Sequence, residues 1–242
     1  MRSNEKPTHK KKVAYIDNCD YLSIVMKKKI RTPTQSRSRE RVELILRTAR
    51  DLIGKRGIDS VSMREIAQAA GVQIGSLYQY FPGKNQLLLT IMQEYYDRLY
   101  EGTKSLLERV RTISELEIAA EKALKQYIHL FQTDPALTNI WAGIRAVPEL
   151  GIEDDKDTYR NAELMVKTAM RCFTGLRESD LRPFALYFSY SIGSITRLAA
   201  ETNNEHNRGV IRECREVLHL RLEAFQKLSE TRKQAKTRKT NI

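Results

Sequence analysis

The chain has 242 residues, enough for one large or two small domains, and its 41% hydrophobic and 30% charged residues are ordinary for a globular protein. No apolar run approaches the roughly 18 residues that a membrane-spanning helix needs, so we expect no membrane segment, and we expect no secretory signal. The formal net charge of +12 excludes an acidic protein and raises the question of where the positive charge lies.

The positive charge is concentrated at the two ends of the chain. Residues 1–41 contain twelve Lys and Arg against four Asp and Glu, and residues 227–242 contain six against one. The segment between them is therefore close to neutral. Basic ends on a neutral body suit contact with a polyanion such as nucleic acid, although the same ends could serve only as solubilising tails.

The cysteines and histidines do not indicate a metal site or a disulfide framework. Cys19, Cys172 and Cys214 are far apart and odd in number, and the sequence has no C-x-x-C pair and no H-E-x-x-H motif. The acidic run at 153–157 is predicted to cap a helix N-terminus, with a cation site as the alternative. We therefore expect reduced thiols, no metal and no cofactor, in a cytoplasmic protein.

Apolar residues recur with helical spacing along most of the chain, and no segment alternates like a strand. Residues 1–35 lack this period and are predicted to be a disordered basic extension. A first helix is predicted over 39–56, followed by short helices near 62–70 and 73–80. Further helices are predicted over 84–106, 114–132, 135–146, 153–175, 179–201 and 206–230. Residues 231–242 are predicted to be a disordered basic tail, and the fold class is all-α.

The two short helices and the turn between them have the form of a helix-turn-helix unit. Ser62 and Glu65 match a capping box at the start of the first helix, and Gly71 ends it. The second helix cannot run far beyond Tyr80, because Pro82 restricts the residue before it. In such a unit the second helix enters the major groove of DNA, so it must be short and must carry small or polar groups near its N-terminus.

Several side chains in the predicted DNA-binding domain, residues 36–84, are candidates for contacts with DNA. Gln73 has an amide that can pair with an adenine edge, and Gly75 has no side chain to hold the backbone away from the bases. Tyr78 and Tyr80 can donate phenolic O–H groups to phosphates, and Lys84 lies at a helix start that favours a phosphate. The full candidate set is Arg37, Arg39, Arg41, Ser62, Arg64, Gln73, Ile74, Gly75, Ser76, Tyr78, Gln79, Tyr80 and Lys84.

The basic arm from Lys27 to Arg41 is a separate candidate for contact with DNA. Arginine is favoured in a narrow minor groove, and Arg37, Arg39 and Arg41 precede or begin the first helix. Deletion of residues 1–36 should then weaken DNA binding and flatten its salt dependence. The alternative is a solvated tail that makes no contact.

The stretch IAQAAGVQIGSLYQYFPGK, from Ile66 to Lys84, resembles the DNA-binding signature of the tetracycline-repressor (TetR) family of bacterial transcriptional regulators. That signature is roughly I-A-x-x-A-G-V-S-x-G-x-L-Y-x-H-F-x-x-K. The matching residues are Ile66, Ala67, Ala70, Gly71, Val72, Gly75, Leu77, Tyr78, Phe81 and Lys84. Gln73 stands where the family often has Ser or Thr, and Tyr80 where many members have His, so the operator sequence is harder to infer.

The resemblance implies a homodimer that binds a roughly palindromic double-stranded DNA operator, most often as a repressor that a small molecule releases. It also implies a larger helical domain, here 85–230, for effector binding and dimerisation, whose last two long helices pair with those of the partner. Ala185, Ser189 and Gly193 recur every four residues in the first of these helices, and we expect this small-residue strip to form the dimer contact. The alternative is that the strip packs within its own chain.

Aromatic residues of the helical domain are candidates for the lining of an effector pocket. They are Tyr127, Phe131, Trp141, Tyr159, Phe173, Phe184 and Phe188. The alternative, which a helical pattern favours for each of them, is an ordinary core residue. Trp141 and Tyr159 are the preferred candidates, because a buried indole N–H or phenol O–H needs a partner. A pocket lined in this way favours an apolar or aromatic effector.

Two other functions are left open at this stage. A regulator of this fold could respond to a partner protein or sense no ligand, and a solid core in the helical domain would favour that reading. An all-helical enzyme is the alternative from another class. The sequence has no glycine-rich phosphate loop, nucleophile elbow or zinc motif, which argues against an enzyme.

Overall fold

A computed structural model describes residues 36–143, 147–201 and 205–240 of the chain. In these ranges the protein consists of nine α-helices and contains no strand, which confirms the all-α prediction. The helices are α1 (Ser36–Arg56), α2 (Met63–Ala69), α3 (Ile74–Tyr80), α4 (Lys84–Leu107), α5 (Ile113–Thr133), α6 (Pro135–Gly143), α7 (Pro148–Cys172), α8 (Glu178–Glu201) and α9 (Glu205–Thr240). The predicted disordered extension, 1–35, lies outside the described residues.

Two helices begin earlier than their sequence patterns predicted. α1 starts at Ser36, so Arg37, Arg39 and Arg41 lie on a helix and not on an extended arm. α7 starts at Pro148, about one and a half turns before its predicted start. Proline is well suited to the first helical position, because its missing N–H would be unpaired there and its fixed φ already fits a helix.

The last helix is longer than predicted, and the expectation of a disordered tail is wrong for residues 231–240. α9 continues to Thr240. Its extension is held against the start of α8, because Arg232 Nη2 donates to Asp180 Oδ1 at 3.0 Å. One turn earlier, Ser229 Oγ donates to the carbonyl oxygen of Thr174 at 2.5 Å. These contacts supply tertiary support that the polar sequence of the tail did not reveal.

The first four helices share one apolar core with the short helix α6. Ile53 of α1, Ile66 of α2, Leu77 of α3 and Leu87 of α4 are all fully buried in it. Leu137 of α6 belongs to the same cluster. The small N-terminal three-helix unit is therefore packed directly against the larger helical part.

A second apolar core joins the last three helices. It contains Val166 of α7, Leu181 of α8, and Leu222 and Phe225 of α9, and Phe173 follows α7 into it. A cavity lies between this core and the first one. In the part of the chain that the structure describes, no helix is both long enough and apolar enough to cross a lipid bilayer.

Candidate functional site

The segment that links α1, α2 and α3 is stabilised by local interactions that the sequence predicts. Ser62 Oγ accepts a hydrogen bond from the Glu65 N–H at 3.2 Å, and Glu65 Oε2 accepts from the Ser62 N–H at 2.8 Å. The Glu65 carboxylate accepts hydrogen bonds from the Ser62 hydroxyl, the Ser62 N–H and Arg56, and these lower the pKa of Glu65 to about 2. Gly71 has φ +64, a left-handed conformation that glycine adopts without strain, and it ends α2.

The short helix α3 has one buried edge and one exposed face. Leu77 is fully buried and Phe81, just after the helix, is 2% exposed, so these two residues anchor α3. On the opposite face Ile74 is 41% and Tyr78 48% exposed. Gln73, Gly75 and Gln79 are also exposed, and Ser76 is half-buried. α3 therefore presents a helix N-terminus and a mostly polar surface to any molecule that approaches it.

Gly75 has no structural task within the chain. Its backbone does not have a positive φ, and a Cβ added there would meet nothing within 4 Å. An alanine would therefore fit the fold, and would carry a lower conformational entropy cost in a helix than glycine. The absence of a side chain matters only to a partner that contacts the outer face of α3.

Two of the predicted phosphate ligands make hydrogen bonds within the chain. The Tyr80 hydroxyl lies 3.0 Å from Ser38 Oγ and joins the end of α3 to the first turn of α1. Lys84 Nζ donates to the Ile58 carbonyl oxygen at 2.5 Å, across the loop between α1 and α2. An ammonium has three N–H donors and a phenol oxygen can also accept, so both groups keep capacity for a phosphate.

The basic residues singled out in the sequence lie on exposed helix surface. Arg37, Arg39 and Arg41 are exposed on the first turns of α1, and Arg64 is exposed on α2. The Ser38–Tyr80 hydrogen bond places the first turn of α1 beside the end of α3. The arginines of α1 therefore extend the surface that α3 presents, from a rigid helix.

The larger helical part contains a cavity of about 570 Å³ between α4, α5, α7, α8 and α9. Five of the predicted pocket residues line it: Tyr127, Phe131, Trp141, Phe184 and Phe188. Trp141 lies at one side, with its ring edge-on to Tyr96 and Phe131 at centroid distances of 5.0 and 5.9 Å. A cavity of this size and aromatic lining is typical of a site for a small organic ligand, since such sites enclose about 300 to 1,000 Å³.

Two predicted pocket residues lie elsewhere. Tyr159 is on the outer face of α7 and is 53% exposed, so its hydroxyl faces solvent instead of the cavity. Phe173 is buried, but in the core that joins α7 to α9, where its ring is 5.9 Å from that of Phe225. Both corrections have the same cause: an aromatic residue in a helical pattern indicates burial or a surface contact, but not which neighbour it meets.

The small-residue strip of α8 lines the cavity of its own chain, which favours the alternative of packing within the chain over the predicted dimer contact. Ala185, Ser189 and Gly193 all line the cavity. Ala185 is 4% exposed, and Ser189 Oγ lies 3.4 Å from Met165 Sδ of α7. Small side chains on this face leave space that larger ones would fill. The strip therefore helps to create the cavity.

The opposite face of α8 and one face of α9 carry exposed apolar side chains. On α8 these are Tyr187, Tyr190 and Leu198, and on α9 they are Val217, Leu220 and Leu228. Both triplets have the spacing i, i+3, i+11, which returns to the same side of a helix after three turns. Two neighbouring helices thus present parallel apolar stripes on the surface, which is a pattern typical of a protein–protein contact.

One end of the cavity, between α4 and α7, is polar and acidic. The Tyr96 hydroxyl donates to Asp154 Oδ1 at 2.8 Å. Asp157 accepts from Arg160 Nη2 and from Asn161 Nδ2, each at 2.9 Å. Burial raises the pKa of Asp157 to about 6, because desolvation outweighs the attraction of Arg160.

The other end of the cavity, between α5 and α9, is lined by paired charges. Arg215 Nε donates to Glu121 Oε2 at 2.7 Å. His219 Nδ1 lies 2.8 Å from Glu117 Oε1, and this hydrogen bond raises the pKa of His219. Each acid of α5 at this end therefore meets a base of α9, and together they link the two helices across the cavity rim.

The helix α6 connects the cavity to the N-terminal unit. Trp141 lines the cavity, and two residues earlier Asn139 Nδ2 donates to the Ile53 carbonyl oxygen of α1 at 2.8 Å. The contact is close, because a Cβ added at Gly54 would lie 3.1 Å from the Ala136 nitrogen. A displacement of α6 by a ligand would therefore press directly on the end of α1.

Several residues of these sites were not singled out in the sequence. Ser38, Tyr96 and Asn139 each make a hydrogen bond that joins helices distant in the chain. Asp157 was singled out, but only as part of the acidic run at 153–157. The predicted capping role of that run is wrong, because the run lies inside α7, where Asp157 is hydrogen-bonded to Arg160 and Asn161 of the same helix. Among the described residues, no group of three or more His, Cys, Asp and Glu side chains is placed to hold a metal ion.

Comparison with known proteins gives two family matches along this chain. Residues 45–91 match the family described as bacterial regulatory proteins, tetR family, and residues 114–226 match a tetracyclin repressor-like, C-terminal domain. The first match covers α2 and α3, and the second covers α5 to most of α9.

Individual relatives agree with the family matches. The chain is 37% identical over 145 residues to the HTH-type transcriptional repressor KstR2 of Rhodococcus jostii, covering 50% of this chain and 69% of that protein. It is 33% identical over 105 residues to the repressor KstR of the same species, covering 41% of this chain and 45% of KstR. Over the first curated relatives the match spans about a fifth to about half of their length.

A solved structure extends the similarity to the whole fold. The crystal structure of a TetR-family transcriptional regulator from Streptomyces coelicolor is 26% identical and superposes with a TM-score of 0.60. The superposition covers 77% of this chain and 98% of the other. The agreement therefore includes the helical part that contains the cavity, as well as the helix-turn-helix unit.

Proposed function

Because the chain belongs to the tetR family of bacterial regulatory proteins and is a DNA-binding transcriptional regulator, not an enzyme, we propose that it is a dimeric repressor released by a small molecule. In this proposal the reading surface is the exposed face of α3 with the first turn of α1. The single observation that carries the proposal is the open space outside Gly75. No atom of the chain lies within 4 Å of a Cβ added there, so the missing side chain allows an external molecule to approach the α3 backbone closely.

The proposed contacts with DNA follow from the placement of each side chain. Gln73 and Ser76 lie at the start of α3, where they can reach base edges in the major groove. The Tyr78 hydroxyl is positioned on the exposed face to donate to a phosphate, as are the arginines of α1. Ile74, 41% exposed, supplies an apolar contact for a thymine methyl group.

Dimerisation is proposed through the apolar stripes of α8 and α9, and not through the small-residue strip. A four-helix contact formed by these two helices and their copies would bury Tyr187, Leu198, Leu220 and Leu228, which are between 37% and 58% exposed in the single chain. A two-fold dimer carries two copies of α3, so the operator should be roughly palindromic, with half-sites about 34 to 36 Å apart or a multiple of that distance.

Release by a small molecule is supported by the cavity and by its connection to α1. A solid core would have favoured control by a partner protein, whereas the space between the two apolar cores is about 570 Å³. A ligand that fills it would contact Trp141 and so displace α6, which is hydrogen-bonded to α1 through Asn139. Binding of the ligand and of the operator would then select different arrangements of the same helices. The proposal of a repressor is supported by the sequence similarity to the transcriptional repressors KstR2 and KstR. The proposed place of action is the bacterial cytoplasm, where the chromosome lies.

The experiment is to sequence genomic DNA fragments that the purified protein retains, beside a variant with Gln73→Ala and Tyr78→Phe. We expect a short palindromic consensus from the unchanged protein and loss of that consensus with the variant. The variant should keep its unfolding midpoint, because both side chains are exposed. Retention that depends on salt but yields no consensus from the unchanged protein would contradict sequence-specific regulation, since unspecific binding is electrostatic.

A further inference from the structure

The two ends of the cavity differ in their balance of charge. At the α5–α9 end the acids Glu117 and Glu121 pair with His219 and Arg215. At the α4–α7 end the cavity is lined by Tyr96, Asp154, Asp157 and Asn161. A ligand that enters therefore meets balanced charge at one end and carboxylates at the other.

The carboxylates at the α4–α7 end share one guanidinium. Arg160 Nη2 donates to Asp157 at 2.9 Å, and Arg160 Nη1 donates to Asp97 at 2.8 Å. Asp154 adds a third carboxyl group, which accepts the Tyr96 hydroxyl. When these three acids are ionised, the four side chains carry an excess of negative charge. The Asp157 side chain is only 15% exposed, so water screens its charge weakly, whereas Asp97 is 69% exposed and its charge is well screened.

The pKa values of two neighbouring tyrosines reflect both burial and the charge of these carboxylates. Burial and then the charge of Asp154 raise the pKa of Tyr96, and burial together with Asp157 raises the pKa of Tyr127 to about 12. Both shifts mean that a second negative charge is disfavoured at this end of the cavity. Burial and the neighbouring carboxylates would both disfavour a carboxylate head group there, whereas the attraction of the carboxylates would offset the cost of burying a cation.

The rest of the cavity lining is mainly apolar. Aliphatic and aromatic side chains from all five helices line it, among them Leu99, Leu124, Met165, Phe184 and Leu218. They offer an elongated molecule an apolar environment next to the carboxylates. A ligand that matches both parts has an apolar body and one polar head.

We propose that the cavity binds an amphipathic amine, whose protonated amino group lies at Asp157 and whose apolar body lies among the side chains between α5 and α8. This inference rests on the proposed function, because it names the chemical class of the effector for the same cavity. The ammonium donates to Asp157 and to Asp154, and thereby competes with the Arg160 and Tyr96 donors that now satisfy them. Since Tyr96 contacts Trp141, this competition reaches α6.

The affinity for an amine should depend on pH in a defined direction. The groups that face Asp157 are Asp97 and Tyr96 of α4, Tyr127 of α5, and Asp154 and Arg160 of α7. Asp157 titrates near pH 6, whereas an alkylamine stays protonated up to about pH 10, like lysine. The amine should therefore bind more weakly at about pH 5 than at about pH 7.5, because Asp157 has lost its charge at the lower pH.

The test uses the full chain and three unbranched probes of ten carbons each, which differ in their head group: decylamine, decan-1-ol and decanoate. Trp141 is the single tryptophan and lines the cavity, so its fluorescence reports occupancy directly. We expect decylamine to bind best and decanoate worst at about pH 7.5, with about a tenfold difference in Kd or more, a difference worth about 1.4 kcal/mol. Asp157→Asn should weaken decylamine binding about tenfold and leave decan-1-ol binding within about twofold. Asp155→Asn, at an exposed position of the same helix, is the matched control and should change neither.

Three outcomes would overturn the inference. Preference for decanoate would place the head group at the other end of the cavity, near Arg215. Equal loss of decylamine and decan-1-ol binding in Asp157→Asn would show that the substitution alters the cavity and not the head-group contact. Failure of all three probes to bind, with sequence-specific operator binding intact, would reject the amine while leaving the DNA-binding proposal standing. Operator binding measured on the same preparation keeps the two proposals separable.

Discussion

Asn139 of α6 donates a hydrogen bond to the backbone carbonyl of Ile53 in α1, and the N···O distance of 2.8 Å makes it a direct bond between the cavity wall and the N-terminal unit. The same amide lies 3.3 Å from the next carbonyl oxygen, that of Gly54. Both acceptors are at the end of α1, where helix carbonyls lack partners within the helix. The side chain of Asn139 therefore caps one helix from another and fixes their relative position.

The first prediction concerns this contact. Asn139→Ala should lower the free energy of unfolding by about 1 kcal/mol, the usual net value of one hydrogen bond. The loss should not be larger, because the Ile53 carbonyl also accepts from the Gly57 N–H at 2.8 Å and keeps that partner. Urea unfolding measures the change, with Gln132→Ala on the exposed surface of α5 as a control. An unfolding midpoint that does not move would mean that the contact contributes nothing to stability.

The second prediction separates folding from DNA binding at Gly75. Gly75→Ala should leave the fold intact and raise the free energy of unfolding by roughly 0.5 to 1 kcal/mol, because alanine is the better helix former. It should nevertheless weaken operator binding at least about tenfold, since the new methyl group lies on the face that approaches the bases. Gly151→Ala is the matched control: this glycine is also helical with open space around its Cβ, but lies in α7. Unchanged operator affinity for Gly75→Ala would exclude close approach of α3 to DNA.

The third prediction compares the two tyrosines of α3. Tyr78→Phe should weaken operator binding by about 0.5 to 1.5 kcal/mol, a Kd about two- to tenfold higher, with no change in the unfolding midpoint. Tyr80→Phe should instead reduce stability by about 1 kcal/mol, because Ser38 loses the partner that lies 3.0 Å away. Binding curves at two salt concentrations and urea unfolding of both variants make the comparison. The reverse pattern would show that Tyr80, and not Tyr78, contacts the phosphates.

The fourth prediction is a pH dependence of stability that arises from Asp157. The pKa of its carboxyl group is about 6 in the folded chain and about 3.9 when unfolded. Between these values the folded state holds a proton that the unfolded state has released, so stability falls as the pH rises from about 4 to about 6. Above pH 6 the full cost is present, on the order of 2 to 3 kcal/mol.

Replacement of this carboxylate should therefore stabilise the protein at neutral pH. Asp157→Asn should unfold at higher urea concentration than the unchanged chain at about pH 7.5, and the difference should shrink towards zero near pH 4. Asp155→Asn, at an exposed position, provides the comparison. A difference that stays constant over this pH range would mean that burial of the Asp157 charge is not its cause. In this prediction the ionised Asp157 side chain destabilises the folded chain at neutral pH, as residues that serve binding often do.

The fifth prediction tests the dimer surface. Leu220→Glu places a charge in the apolar stripe of α9 and should convert the proposed dimer into a monomer, because a buried unpaired carboxylate costs several kcal/mol. Ile118→Glu is the matched control, since Ile118 of α5 is 56% exposed and Leu220 is 53% exposed. Sedimentation or light scattering measures the mass of each variant. Dissociation by both substitutions, or by neither, would exclude the α8–α9 stripes as the specific contact.

The helix-turn-helix unit could be read from the sequence because its signals are local. Ser62 and Glu65 cap α2 over three residues, and Gly71 takes the left-handed conformation that ends it. α3 ends at Tyr80, because Pro82 disfavours a helical conformation at the residue before it, Phe81. Each of these interactions joins residues that are close in the chain, so the residue types and their spacing determined them.

The sequence did not determine which face of each long helix points into the protein. α8 carries a small-residue strip, Ala185 to Gly193, on one side and the stripe of Tyr187 and Leu198 on another, and helical periodicity allows either to face inward. Tertiary packing decided it: the small residues line the cavity and the larger ones lie on the surface.

The same limit applies to Asp157. Its acidic neighbours predicted a run that caps a helix N-terminus, but α7 begins at Pro148, so the run lies inside the helix. The sequence by itself determined the all-helical fold, the order of the helices and the local structure of the helix-turn-helix unit. Only the tertiary structure decided where the cavity lies and which side chains meet in it, because those contacts join residues far apart in the chain, whose positions depend on how all the helices pack together.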